Sequence, residues 1–290
     1  MLRFRYVRPA NLEEALSMMQ EPQFTNTPLA GGTDLLIAIH NSEHPFQRFV
    51  DVSRLQELKI IQQERNSITL GAGVTFREIL ESKLIRQKAP FLVVASGSIG
   101  SPQIRNVGTV GGNVANAAAC ADSVPVLVCL EAEVHLKSLN STRHMLVTEF
   151  VMGKKQTQIQ PGEILTHFTF EVPPIGTQTF FIKLGRRNAQ AISRLTVAVM
   201  GHVDAGEKVD LMRIVPGAAV RRTMRFSHAE KLLLGESPTP ELIRSSGRRV
   251  AEQMVAENGQ RWSTEYKEPV IAKLTERALE QVLISCRNLN

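Results

Sequence analysis

Gln103-Ile104-Arg105-Asn106-Val107-Gly108-Thr109-Val110-Gly111-Gly112-Asn113 is the stretch on which the reading of this chain turns. A second glycine pair stands upstream, in Leu29-Ala30-Gly31-Gly32-Thr33-Asp34-Leu35-Leu36. Each couples Gly-Gly to a hydroxyl residue and a further polar side chain. Glycine lets a backbone approach a ligand closely and adopt positive φ without steric cost. Successive peptide N–H groups then form a concavity suited to an anion such as phosphate. One such loop is weak evidence. Two of them, with Asp122 nine residues after Asn113, point to two walls of one cofactor site. There is no G-x-G-x-x-G at a first strand–helix junction and no Walker A lysine motif, which argues against a Rossmann site or a P-loop.

Composition sets the frame. With 290 residues the chain holds one large domain or two ordinary ones. A hydrophobic content of 43% and a charged content of 21% are normal for a globular core. The longest uninterrupted apolar run, 124–130, falls far short of the ~20 residues of a membrane helix. The start, Met1-Leu2-Arg3-Phe4-Arg5-Tyr6, lacks the apolar core of a signal peptide. A cytoplasmic location away from membranes is therefore expected. Cys120, Cys129 and Cys286 have no C-x-x-C spacing, which argues against a disulfide framework. They also cannot supply the four thiolates of a usual iron–sulfur cluster, so any such cluster must sit on another chain.

The net charge of +6 is modest. Lys183, Arg186, Arg187 and Arg194 lie in a stretch without acids, and Arg221, Arg222 and Arg225 form a second group. No aromatic residues interleave with them, so nucleic acid is not an expected partner. His40 and His44 have a spacing that can hold zinc on a helix, but Asn41-Ser42-Glu43 between them is not the metalloprotease order, and Pro45 points to a surface loop. Cys120 has no basic neighbour to lower its pKa and reads as a packing residue. Trp262 reads as a domain anchor.

Strand-like runs at 27–30, 49–52 and 68–70 alternate with helix starts in the first 80 residues, the pattern of an α/β unit. Asn11-Leu12-Glu13-Glu14, Ser53-Arg54-Leu55-Gln56 and Thr75-Phe76-Arg77-Glu78 have capping-box spacing. Residues 89–128 read as irregular structure around a ligand, ending in a short helix near 123–130. Strands are expected at 132–137 and 164–172. Pro173-Pro174-Ile175-Gly176 is the best domain break. Beyond it, strands are expected at 179–184, 195–203 and 210–215. Two helices follow, one from Pro240 to about 257 and one beginning at Pro269, with Val270, Leu274, Ala278, Leu279 and Val282 on one face.

Together the two glycine segments resemble the FAD-binding (medium) subunits of the molybdenum hydroxylase family, the xanthine dehydrogenase and carbon monoxide dehydrogenase flavoprotein type. The continuation Asn116 … Ala121-Asp122-Ser123 … Pro125 fits the same pattern. So do Gly162-Glu163-Ile164-Leu165, Phe181-Ile182-Lys183-Leu184-Gly185-Arg186-Arg187 and Arg261-Trp262-Ser263-Thr264-Glu265-Tyr266-Lys267. The resemblance implies an α+β fold. A two-part FAD-binding module of the vanillyl-alcohol-oxidase type, with two α/β subdomains, would fill 1–174. A small α+β C-terminal domain of antiparallel sheet plus helices would fill 177–288.

It also implies residue roles. Residues 29–36 would wrap the FAD diphosphate through backbone N–H groups, with Thr33 adding a hydroxyl. Thr109, Val110, Gly111, Gly112 and Asn113 would complete the cradle, with Thr109 and Asn113 as side-chain donors. Asp122 would accept from sugar or ribityl hydroxyls, with a helix cap ahead of Ser123 as the other reading. Ile99 would lie near the cofactor or simply pack in the core. Leu165 and Lys183 would meet the flavin end, where a lysine favours an anionic reduced ring; a surface cation is the alternative for Lys183. Ile192 would pack on the ring. No catalytic side chain or metal ligand is expected.

The function implied is electron transfer. A molybdenum-cofactor subunit would hydroxylate substrate, a subunit with two 2Fe-2S clusters would relay electrons, and this chain's FAD would pass them on, typically to NAD+. The assembly expected is a dimer of heterotrimers. Two alternatives stay open at this point: a stand-alone flavoenzyme acting on its own substrate, and a non-catalytic assembly subunit.

Overall fold

The structure, a computed structural model, describes residues 4–41, 47–187 and 190–287, with side chains described as far as 283. The first unit comprises β1 (Arg5–Val7), α1 (Leu12–Met19), β2 (Asn26–Leu29), α2 (Leu35–His40) and β3 (Arg48–Asp51). Its strands form a parallel sheet in the order β1-β3-β2. Asn11 caps α1 by accepting from the Glu14 N–H at 2.9 Å. The Glu14 carboxylate takes the N–H of Ala10 rather than that of Asn11. Ala15, Leu16 and Met19 of α1 are buried in a small core with Val50, Leu55, Leu58 and Ile164.

The capping box expected at Ser53 does not form. Asp51 Oδ1 accepts from both the N–H (3.0 Å) and the hydroxyl (2.6 Å) of Ser53, a local turn that outcompetes the cap. Only a short 3-10 turn, Gln56–Leu58, follows.

In the second unit β4 (Ile61–Glu64) and β5 (Ser67–Gly71) form an antiparallel hairpin. Helix α3 (Phe76–Glu81) follows, opened by a complete Thr75–Glu78 capping box. Then come α4 (Lys83–Lys88), α5 (Pro90–Gly97), α6 (Pro102–Val107), α7 (Val110–Asn116) and α8 (Ser123–Cys129). The segment expected to be irregular is therefore largely helical. First-turn prolines start α5 and α6, and Ser101 and Thr109 cap α6 and α7. These local signals outweigh the loop-like composition. Strands β6 (Glu133–Lys137) and β7 (Thr142–Leu146), a turn of helix α9 (Val147–Phe150), the small hairpin β8 (Val151–Gly153) and β9 (Gln156–Thr157), and β10 (Ile164–Glu171) complete it. The main sheet is antiparallel in the order β4-β5-β10-β6-β7.

The C-terminal part is an antiparallel sheet, β11 (Gln178–Leu184), β12 (Leu195–Val203) and β13 (Val209–Gly217), followed by α10 (Ser227–Leu233), α11 (Pro240–Asn258) and α12 (Thr264–Arg287). Helix α12 begins at Thr264, ahead of the expected start, and carries Pro269 inside it. The turn ahead of the proline closes through Lys267 N–H to the Ser263 carbonyl at 2.9 Å. Pro269, past the first turn, has no N–H for the Glu265 carbonyl, so one interior helix bond is missing there. Leu274, Ala278, Leu279 and Val282 are buried as the pattern requires, and Val270 packs at their margin.

Both faces of this last sheet are covered. Phe181, Ala198, Met200 and Val215 join the core of the five-stranded unit. Val197, Val199 and Ile214 pack under α10 to α12. The Pro173-Pro174 break thus interrupts the chain but not the core. Trp262 is not an anchor in this fold: it is 95% exposed.

A histidine ladder crosses the five-stranded sheet. His144, His135 and His167 face one another in register on β7, β6 and β10, with ring centroids 5.5 and 4.1 Å apart. Burial and the neighbouring ring push His167 down from 6.5 to about 4. Between those values the unfolded chain binds the proton and the folded one does not. Stability from neutral His167 is therefore full above pH about 6.5 and is lost as pH falls toward 4. A His167→Gln variant is expected to show a flatter decline of Tm between pH 7 and 4 than the parent; parallel declines would contradict this.

Candidate cofactor site

The first glycine loop leaves β2 at the carboxyl end of the parallel sheet, the side on which open α/β sheets place ligands. Gly32 has φ +69°, a conformation that glycine adopts freely. Gly31 meets a harder constraint. A Cβ there would lie 2.0 Å from the Val107 carbonyl oxygen and 3.0 Å from Gly108 Cα. Only glycine lets this loop rest on the end of α6, and that contact joins the two motifs into one surface. The peptide N–H groups of Gly31, Gly32, Thr33, Asp34 and Leu35 donate to no acceptor among the described residues, and Leu36 N–H begins helix α2 by bonding the Gly32 carbonyl at 2.9 Å. A run of free donors in a half-buried loop is the arrangement that receives a diphosphate. Beside it Leu36, Ile37, Ile104 and Val107 stand exposed and offer apolar surface.

The second loop works differently from the first. Val110 and Gly111 donate to the carbonyls of Val74 (3.0 Å) and Ala72 (2.9 Å). Gly112 N–H is taken by Thr109 Oγ1 at 3.0 Å, and Asn113 N–H by the Thr109 carbonyl at 3.0 Å. Its peptide donors are spent on the fold. What it offers a ligand is the Thr109 hydroxyl proton, the Asn113 amide NH₂ and the open face of Gly112, where a Cβ would meet only Thr109 Oγ1. Asn113 Oδ1 is held by the Ser123 hydroxyl at 2.7 Å, which orients that amide. Gly111 is glycine for packing, since a Cβ there would sit 2.5 Å from that of Ala72.

A buried polar cluster lies at the start of α8. Asp122, 4% exposed, accepts from Lys183 Nζ at 2.7 Å on Oδ2 and from the Ser193 hydroxyl at 2.5 Å on Oδ1. Lys183 also donates to the Ser98 carbonyl at 2.8 Å. Burial pushes the Asp122 carboxyl up, while Lys183 and Ser193 pull it back. Asp122 makes no side-chain cap to α8, and Lys183 is no surface cation, its side chain being 14% exposed. Ser98 and Ser193 carried no sequence signal. Their bonds span 24 to 85 residues, and no local motif marks them.

The remaining residues are less concentrated. Ile99 packs partly against the core, and its carbonyl accepts from Arg105 at 2.9 Å. Leu165 lies in the core on β10 opposite Leu136. Ile192 is 77% exposed. Burial and Asp122 push the Cys120 thiol up, the opposite of a reactive thiolate. Of the second basic group, Arg225 pairs with Glu230 at 2.7 Å and with Glu131, and Arg222 donates to the Thr148 carbonyl at 2.8 Å. His40 ends α2, and His44 lies outside the described residues.

Comparison with known proteins follows the same division of the chain. Residues 2–174 match the FAD binding domain in molybdopterin dehydrogenase, and residues 180–282 match the CO dehydrogenase flavoprotein C-terminal domain. The chain is 32% identical to the nicotinate dehydrogenase FAD-subunit of Eubacterium barkeri, over 84% of this chain and 83% of that one. It is 29% identical to the xanthine dehydrogenase FAD-binding subunit of Escherichia coli O157:H7, over 96% and 95% of the two chains. Its fold superposes with a TM-score of 0.91 on a carbon monoxide dehydrogenase from Hydrogenophaga pseudoflava that lacks the Mo-pyranopterin moiety of its molybdenum cofactor, at 24% identity, covering 98% of this chain and 99% of that one. With more than half of its length matched by the FAD-binding domain, the chain belongs to the FAD-binding subunits of the molybdenum hydroxylase family.

Proposed function

We propose that this subunit transfers electrons within a xanthine dehydrogenase-like complex, taking them from the 2Fe-2S clusters of one partner subunit and passing them to NAD+. A third subunit would carry the molybdenum cofactor and hydroxylate the substrate, in a cytoplasmic dimer of heterotrimers. The observation that carries the reading is the run of unsatisfied N–H groups from Gly31 to Leu35 beside the second glycine motif. Resemblance to relatives named as FAD-subunits supports it. Bound there, FAD would supply the redox chemistry, and the protein would supply placement and electrostatics.

The chain's own residues divide that work. Residues 29–36 hold the diphosphate, and the hydroxyls of Thr33 and Thr109 and the Asn113 amide add donors. A carboxylate has about four acceptor sites, so Asp122 keeps room for a ligand hydroxyl beside Ser193 and Lys183. Lys183 has donated two of its three N–H groups within the protein, which would leave a third for the ligand. Ile99, Leu165 and Ile192 contribute apolar surface. In this reading residues 1–174 are the FAD-binding domain, and the C-terminal domain, 177–288, adds Lys183 to the site. The acid-free run 183–194, with exposed Arg186 and Arg187, draws in an anionic dinucleotide acceptor.

The test is the flavin content of the chain purified together with its partner subunits: the parent is expected to carry FAD stoichiometrically. Gly31→Val, which drives a side chain into Val107, is expected to lower that content at least about tenfold, equivalent to about 1.4 kcal/mol. Flavin retention in that variant would refute the assignment of the loop. Reversing Arg186 and Arg187 to Glu is expected to raise KM for NAD+ about tenfold with kcat nearly unchanged; an unmoved KM would remove NAD+ from the proposal.

A further inference from the structure

The polar cluster at Asp122 is closed in a way that assigns Ser193 a task. Asp122 Oδ1 accepts from the Ser193 hydroxyl at 2.5 Å and Oδ2 from Lys183 Nζ at 2.7 Å. Ser98 Oγ lies 3.5 Å from Oδ2 but donates to the Ala95 carbonyl at 2.7 Å. Among the described residues, therefore, the Ser193 hydroxyl is the one donor on Oδ1. A carboxylate held by one oxygen alone can swing about its last bond, because that torsion is broad. Donors on both oxygens fix its plane.

The backbone delivers these groups together. Lys183 lies near the end of β11 and Ser193 just before β12, and Arg194 N–H closes onto the Leu184 carbonyl at 2.8 Å. Ser193 is 7% exposed, so its hydroxyl is cut off from bulk water and depends on this partner.

We propose that Ser193 is a positioning residue: by pinning Asp122 it makes that carboxylate the fixed counter-ion of Lys183, and so aims the one uncommitted ammonium N–H at the flavin end of the site. The inference rests on the FAD reading above and adds to it a residue that touches no ligand. It makes the charge facing the flavin end a neutral pair rather than a bare cation.

The experiment uses the full chain assembled with its partner subunits, comparing the parent with Ser193→Ala, Ser193→Thr, Asp122→Asn and Lys183→Met. Flavin midpoint potential, FAD affinity and melting of the apoprotein are read for each. Lys183→Met leaves an uncompensated carboxylate and is expected to lower the potential. Asp122→Asn leaves an uncompensated ammonium and is expected to raise it. Ser193→Ala is expected to shift the potential in the direction of Lys183→Met, to a smaller extent, and to weaken FAD binding about tenfold, the scale of one lost hydrogen bond to a charged group. Ser193→Thr is expected to restore both. A parental potential in Ser193→Ala overturns the proposal even if affinity falls, since a purely structural serine would do that. Failure of threonine to rescue overturns it as well. If Ser193→Ala does not fold, opposite shifts in the other two variants support the counter-ion pair, and shifts of one sign or none overturn it. A parent that takes up no FAD would instead sink the cofactor reading itself.

Discussion

The contact between Gly31 and the end of α6 governs the rest of the site. It is a backbone-on-backbone approach: a Cβ at 31 would fall 2.0 Å from the Val107 oxygen, far inside van der Waals contact. No rotamer change relieves such a clash, because both partners are main chain. The loop rests there with its N–H groups from Gly31 to Leu35 bonded to no acceptor among the described residues. The second motif, with its own N–H groups bonded to Val74, Ala72 and Thr109, supplies the rigid wall. One glycine motif therefore offers donors, and the other positions them.

The C-terminal part ties into this wall on two levels. Its sheet is buried on both faces, which makes it continuous with the core of the central unit. An ionic network runs beside that shared core. Glu131, at the end of α8, pairs with Arg213 of β13 at 2.5 Å and with Arg225. Arg225 in turn holds the buried Glu230, whose Oε1 accepts from Ile214 N–H at 2.9 Å. Of these groups only Glu230 is buried, and loss of Arg225 would leave its charge uncompensated.

What the sequence made legible was local. The glycine motifs, the strands of the C-terminal sheet and the Thr75 and Pro240 helix starts all carry their physics within a few residues, and the structure has them where that physics puts them. What it hid was of two kinds. Residues 90–116 look loop-like in composition, yet caps and first-turn prolines make short helices of much of them. The Asp122 cluster depends on Ser98, Lys183 and Ser193, brought together from three separate segments, and no spacing rule encodes such a meeting. Trp262 misleads for a related reason: a large aromatic residue is usually buried, and here the helix start places it in solvent.

The central claim is that the free N–H run of the first loop is where the FAD diphosphate sits. The most direct measurement is a crystal structure of the FAD-loaded protein in its complex. The account predicts phosphate oxygens within hydrogen-bond distance of the N–H groups of Gly31 to Leu35, with Gly31 still resting on Val107. A structure in which FAD is bound while those N–H groups face only water would contradict it.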